Sequence, residues 1–93
     1  MTDGELLPIV TVAPSYPPAA AERGLEGYVV VTYTVTQTGS VRDVVVTEST
    51  HRLFEKPAVE AAYKYKYRPR VVDGQPVVVH GVSQRVRFGL DPP

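Results

Sequence analysis

The segment QPVVVHGVSQRVRFGL, residues 75–90, constrains this chain more than any other stretch. It is β-rich throughout, in a chain of only 93 residues. Val82, Val86, Phe88 and Leu90 share one parity, while Ser83, Arg85 and Arg87 take the other, as a pleated strand requires. Gly81 interrupts the run and marks a bulge or a bend. A strand of this length needs a partner for its backbone groups, so the rest of the chain must cover it or leave part of it open.

Upstream there is material for two more strands. GYVVVTYTV (27–35) alternates, with Val29, Val31, Tyr33 and Val35 on one face and Tyr28, Val30, Thr32 and Thr34 on the other. Thr36-Gln37-Thr38-Gly39 reads as a hairpin turn with a late glycine, returning through SVRDVVVTES (40–49). Val41 lies on one parity but Val44 and Val46 on the other, a phase slip that a β-bulge near Arg42-Asp43 produces.

Two segments change period. In Ser15-Tyr16-Pro17-Pro18-Ala-Ala-Ala-Glu-Arg-Gly24, Ser15 suits an N-cap, Pro17 or Pro18 a first turn and Gly24 a stop, so the expectation is a short helix over about 17–23. In 51–69, Phe54, Ala58, Ala61, Ala62 and Tyr65 recur at helical spacing, with Glu55, Lys56, Glu60 and Lys64 opposite. Pro57 is tolerated only in a first turn, which starts this helix near Leu53. Tyr63 to Tyr67 taken alone alternates like a strand, but the alanine-rich stretch before it and Pro69 after it extend the helix to about Lys66. Val72-Asp73-Gly74-Gln75-Pro76 is a turn.

The order is therefore αββαβ: an α+β fold with a short helix, a β-hairpin, a long helix and a final strand. It predicts a three-stranded antiparallel sheet with one face under the long helix. The last run is longer than either hairpin strand, so part of it is expected to lack an internal partner. Such an edge is a template for an added strand, from a partner or from a second copy exchanging strands in a homodimer.

Composition removes several function classes. A formal net charge of zero gives no general attraction to nucleic acid or anionic membrane, and the absence of cysteine excludes disulfides and thiolate chemistry. No apolar stretch approaches the ~18 residues of a membrane span, and no signal peptide is visible. The Met-Thr-Asp-Gly start reads as an initiator placed on a fragment.

Nothing points to catalysis, a cofactor or a metal. His51 and His80 lie on different elements without a motif around either, and read as surface or loop histidines. Asp43, Glu48, Glu55 and Glu60 read as solvated. Lys64, Lys66, Arg68 and Arg70 interleave with tyrosines, a pattern found in single-strand nucleic-acid binding but equally at a helix C-terminus whose aromatics cap a core. Gln84 is polar at an apolar parity, so it is either satisfied by a neighbour or beyond the reach of the helix. Tyr16-Pro17 is held extended, with a ring that either lies beside a strand edge or staples the lead-in to the sheet.

Taken together and in order, several motifs resemble the TonB C-terminal domain: Ser15-Tyr16-Pro17, then Arg23-Gly24-Leu25-Glu26-Gly27-Tyr28-Val29 and the Val31-x-Tyr33-x-Val35 series. Gly39, Val41, Val44, Val46, Ser49, Phe54, Ala61-Ala62, Tyr65-Lys66-Tyr67-Arg68-Pro69 and Val86-x-Phe88-x-Leu90 continue the likeness. It runs from about residue 14 to residue 90, and the compact Asp73-Gly74-Gln75-Pro76 connection is most like the shorter homologues of the second TonB system. Residues 1–14 then become a lead-in from a periplasmic linker, 15–90 the domain and 91–93 a tail.

The resemblance implies an adaptor and no enzyme: the periplasmic domain of an inner-membrane-anchored protein of a Gram-negative bacterium. It would bind the TonB box of outer-membrane TonB-dependent transporters by β-strand addition. It would transmit proton-motive-force energy from an ExbB/ExbD-type inner-membrane complex, for uptake of siderophores, haem or vitamins. The carried-over pairing strand is Val79, His80, Gly81, Val82, Ser83, Gln84 and Arg85, with Tyr16 and Pro17 beside it. The chain departs from the family pattern at Ala13 and Pro14, where a peptide-contacting glutamine is common. It departs again at Tyr65, where tryptophan is common, and at Gln84, usually apolar. The alternative is a TonB- or TolA-like interaction module of another envelope protein, and behind it a single-stranded nucleic-acid binder.

Overall fold

A computed structural model describes residues 6–90. The start of the lead-in (residues 1–5) and the tail assigned to 91–93 lie outside the described residues.

Three strands make the principal sheet: β2 (Gly27–Val35), β3 (Val41–Ser49) and β7 (Val79–Phe88), in the antiparallel order β3-β2-β7. Two small ribbons flank it. In one, β1 (Pro8–Val10) pairs with β4 (Lys66–Tyr67); in the other, β5 (Arg70–Val72) pairs with β6 (Gln75–Val77) across an Asp73-Gly74 turn in which both residues have positive φ. Helix α1 (Pro18–Glu22) precedes β2, and a 3-10 turn over Arg52–Phe54 leads into α2 (Glu55–Tyr63). The α+β class and the helix-covered antiparallel sheet are those the sequence pattern predicts.

Period-2 alternation in β2 sets the core. Val29, Val31 and Val35 are fully buried and Tyr33 nearly so, facing Phe54, Ala58 and Ala62. The alanines let α2 approach the sheet closely, and burial of this apolar face is the main stabilising term. At one end Phe54 stacks on Phe88, with ring centroids 4.4 Å apart and planes 16° from parallel. At the other, Tyr33 meets Tyr65 edge-on and shares a buried hydroxyl–hydroxyl hydrogen bond with Tyr67.

The bulge expected near Arg42-Asp43 is present: the β2–β3 register shifts between Thr32 and Thr34, and Asp43 has φ 55°. A second irregularity falls between Val30 and Val31. In β7 the interruption at Gly81 is a bulge, where Tyr33 pairs with Val82 but Val35 with Val79, and Gly81 takes φ +69°. At Gly39, φ +86° and a Cβ position only 1.9 Å from the Tyr67 carbonyl oxygen leave room for glycine alone.

Four expectations are corrected. Ser15 does not cap α1: Pro17 is the N-cap, its carbonyl accepting from the Ala20 and Ala21 N–H groups, and Pro18 opens the helix. Helix α2 stops at Tyr63 rather than near Lys66, because Tyr65 and Tyr67 enter the core as alternate residues of an extended segment with Lys66 exposed between them. The lead-in is not only extended but paired through β1. Finally, β7 is not overlong. It has ten residues against nine in β2, and the two pair from Gly27–Phe88 to Val35–Val79. What β7 leaves open is its outer side, not its end.

Candidate functional site

The principal sheet has two outer edges, and they differ. On β3 the two register shifts break the regular spacing of edge groups, and the Val44 N–H donates to the Tyr63 hydroxyl at 3.2 Å. Bulges and side-chain plugs of this kind blunt an edge. On β7 no second strand pairs among the described residues, and the run from Val82 to Phe88 keeps an unbroken register with β2.

The direction of the β7 backbone groups follows from β2. The Tyr28 carbonyl accepts from the Thr50 N–H and the Thr36 N–H donates to the Ser40 carbonyl, so even-numbered residues of β2 face β3. Odd-numbered residues then face β7, where Val29, Val31 and Tyr33 lie opposite Val86, Gln84 and Val82. In an antiparallel ladder alternate residues turn their peptide groups to opposite sides. Val82, Gln84 and Val86 are therefore engaged with β2, and Ser83, Arg85 and Arg87 direct their N–H and C=O groups outward.

The residues singled out from the sequence fall into three groups. Val82, Ser83, Gln84 and Arg85 lie on the regular part of the open edge. Val79 and His80 lie beyond the Gly81 bulge, where His80 is tied to the Thr34 hydroxyl through Nδ1 at 3.2 Å. Tyr16 and Pro17 are elsewhere. The Tyr16 ring stands edge-on to both Phe54 and Phe88, at 5.8 Å from each, and its hydroxyl donates to the Leu25 carbonyl. Burial, then the nearby Glu26, raise its pKa above the usual tyrosine value. Tyr16 thus staples the lead-in to the Phe88 end of β7, about 30 Å along the strand from Val79. Gln84 is exposed on the helix side of the sheet, beyond α2, which packs over β3 and β2.

On the uncovered face, side chains link the strands: Thr32 to Ser83 at 3.0 Å, and the Arg85 guanidinium 4.2 Å over the Tyr28 ring. The Tyr28 hydroxyl donates to Glu48 on β3, and that hydrogen bond, more than the Glu48 charge, raises its pKa. Neither Tyr28 nor Arg87 stood out in the sequence. Arg85 and Arg87 share a parity there, but only the pairing of β7 with β2 sets them beside Tyr28.

The interleaved basic segment keeps one exposed ring, Tyr63, whose hydroxyl accepts from the Val44 N–H. Tyr65 and Tyr67 are each 5% exposed, leaving Lys64, Lys66, Arg68 and Arg70 without aromatic platforms between them. Among the described residues there is no cluster of three metal-ligating side chains, and no helix is long and apolar enough to cross a membrane. The clefts between the lead-in and α2, of about 380 and 500 Å³, are lined by Pro14, Ser15, Tyr16, Pro17, Pro57 and Glu60, without a convergent set of reactive groups.

The family described as Gram-negative bacterial TonB protein C-terminal matches residues 12–90. The chain is 36% identical over 92 residues to the protein TonB of Pseudomonas aeruginosa, covering 98% of this chain and 27% of that protein. It is 29% identical over 92 residues to the protein TonB of Vibrio cholerae, covering 37% of it. The chain therefore spans roughly a quarter to a third of these relatives. Among solved structures it is similar to the solution structure of the Pseudomonas aeruginosa TonB C-terminal domain, with a TM-score of 0.76 and 31% identity over 95% of this chain and 89% of that one. The TonB2 protein of Vibrio anguillarum superposes with a TM-score of 0.67 and 36% identity, covering 92% of this chain and 82% of that one.

Proposed function

The chain belongs to the TonB C-terminal domain family, and on that premise we propose that it is the transporter-gripping domain of an energy-transducing envelope protein. In this reading it lies in the periplasm on an inner-membrane-anchored protein. It receives energy through an ExbB/ExbD-type complex and binds the N-terminal TonB box of outer-membrane transporters for siderophores, haem or vitamins. The TonB box enters as a fourth strand along β7.

The observation that carries this reading is the contrast between the two edges. β3 is broken by bulges and plugged by Tyr63, whereas β7 offers a regular run from Val82 to Phe88 with three outward peptide units. Strand addition draws affinity from main-chain hydrogen bonds and little from side-chain identity, so one adaptor can serve several transporters. The pairing segment is accordingly 82–88, shifted from the 79–85 carried over by resemblance, because the Gly81 bulge breaks a ladder that crosses it. In this reading Tyr16 supports the Phe88 end of the strand and Pro17 caps α1 beside it in sequence.

Titration of isotope-labelled domain with a peptide of about ten residues from a transporter's N-terminal plug segment tests the proposal. Amide shifts concentrated at 82–88 are expected. Saturable shifts confined to β3 or α2 would refute it. The alternative role, an interaction module of another envelope protein, uses the same edge and differs in what precedes residue 1. A membrane helix and a Pro-rich linker upstream favour the TonB role.

A further inference from the structure

Resting on the strand-addition reading, we infer that Arg85 and Arg87 select the guest, and that this domain prefers extended segments with acidic residues at i and i+2. Both arginines project from β7 onto the uncovered face of the sheet and are exposed. They belong to two of the three residues whose peptide groups point outward, so a guest paired there lies directly beside them. With Gly27, Tyr28, Phe88 and Gly89 they line a shallow cleft of about 320 Å³ at the strand end.

Three features make this cleft a carboxylate acceptor. The Arg85 guanidinium carbon lies 4.2 Å over the Tyr28 ring, a cation–π contact that restricts the side chain while its N–H groups remain available to a carboxylate. Neither arginine forms an ion pair with a described carboxylate; the one ion pair among the described residues joins Arg42 to Asp43. Glu26, the one acid lining the cleft, has its Oε2 occupied at the Gly89 end, where it accepts from the Leu90 N–H at 2.7 Å.

A guest strand sits about 4.8 Å from β7, with directly opposed Cβ atoms about 5 Å apart on the shared face. Glutamates at i and i+2 of the guest therefore meet Arg85 and Arg87. The guest residue opposite Gln84, next to the glutamate that faces Arg85, falls on the helix side between Val82 and Val86. There α2 leaves Gln84 exposed and Val82 half-buried, an open ledge suited to a small or branched apolar side chain. The favoured guest alternates acidic with apolar residues.

Each exposed cross-strand ion pair contributes a factor of about two to five in affinity, so two give on the order of tenfold at low salt. The probes are three synthetic decapeptides of alternating valine and threonine, in which two threonines at i and i+2 are replaced by Glu, Gln or Lys. Titration into the 93-residue chain, followed by amide shifts, is expected to show the Glu peptide binding about tenfold more tightly than the Gln peptide, and the Lys peptide most weakly. The Glu-to-Gln ratio should collapse towards one in high salt and in the R85Q/R87Q double variant, whose fold is verified from its amide spectrum. Equal affinities of the Glu and Gln peptides, with shifts along 82–88, would overturn the arginine selectivity and leave strand addition standing. No response at β7 to any of the three would overturn both.

Discussion

Substituting proline at two neighbouring positions of β7 separates the side of the strand that holds the domain together from the side left for a guest. Proline removes one backbone donor and restricts φ at either position. At Gln84 the lost N–H belongs to the β2 ladder opposite fully buried Val31. The loss removes a hydrogen bond of about 1 kcal/mol and strands the Val31 carbonyl, at a further ~1–3 kcal/mol. With about 0.5–1 kcal/mol more from restricted φ, Gln84→Pro should destabilise the domain by about 2.5–5 kcal/mol, a large part of the 5–15 kcal/mol typical of a domain. At Arg85 the lost N–H points to solvent, so the ladder survives. The contact with Tyr28 disappears, at about 0.5–1 kcal/mol, and restricted φ adds a similar amount at both sites. Arg85→Pro should thus lose no more than about 1–2 kcal/mol of stability yet bind guest peptide far more weakly, because a central donor of the guest ladder is gone. Urea unfolding of both variants, with peptide titration of Arg85→Pro, measures each quantity. Equal destabilisation by the two prolines, or undiminished binding by Arg85→Pro, would refute the assignment of outward and inward residues.

Two further outcomes follow from the core. Phe54→Ala, which empties a fully buried site between Phe88 and Tyr16, should cost about 3–5 kcal/mol in urea unfolding; a loss below about 1 kcal/mol would mean that Phe54 is not a core residue. Burial holds the Tyr33 and Tyr65 hydroxyls above the ordinary value of 10.0, with Tyr67 adding to the shift at both. These raised pKa values favour the protonated fold, so their stabilisation is complete below pH 10 and declines as pH rises beyond it. Thermal melts followed by circular dichroism should show a falling midpoint above pH 10, and a flat midpoint to pH 12 would contradict that assignment.

The β elements were legible because one face of the sheet is buried, and burial writes period 2 into the chain: Val29, Val31, Tyr33 and Val35 give both the strand and its inner face. The phase slip between Val41 and Val44 likewise announced the bulge at Asp43. The end of α2 was less legible, since residues 63–67 satisfy two periods at once. Tertiary burial of Tyr65 and Tyr67 decides for the extended one, overriding local helix propensity. Run length proved a poor guide to pairing. β7 matches β2 nearly residue for residue, and its openness is lateral, a property of sheet order that no single segment contains. Strand β1 and the plugging of β3 by Tyr63 depend on contacts across 19 or more residues, and no local pattern marks them. The TonB-like motifs singled out β7, a strand that the sheet order β3-β2-β7 leaves at an edge. The placement of Tyr16 at its Phe88 end, and the Gly81 bulge, emerged only from the packed chain.

Amide hydrogen exchange along β7, with and without a transporter-derived peptide, tests the central claim most directly. Without peptide, the amides of Val82, Gln84 and Val86 should exchange slowly and those of Ser83, Arg85 and Arg87 quickly. Saturating peptide should slow the second set while leaving the first protected, so that the alternation disappears. Rapid exchange at Ser83, Arg85 and Arg87 in the saturated complex would show that the peptide binds elsewhere and that β7 is not the accepting edge.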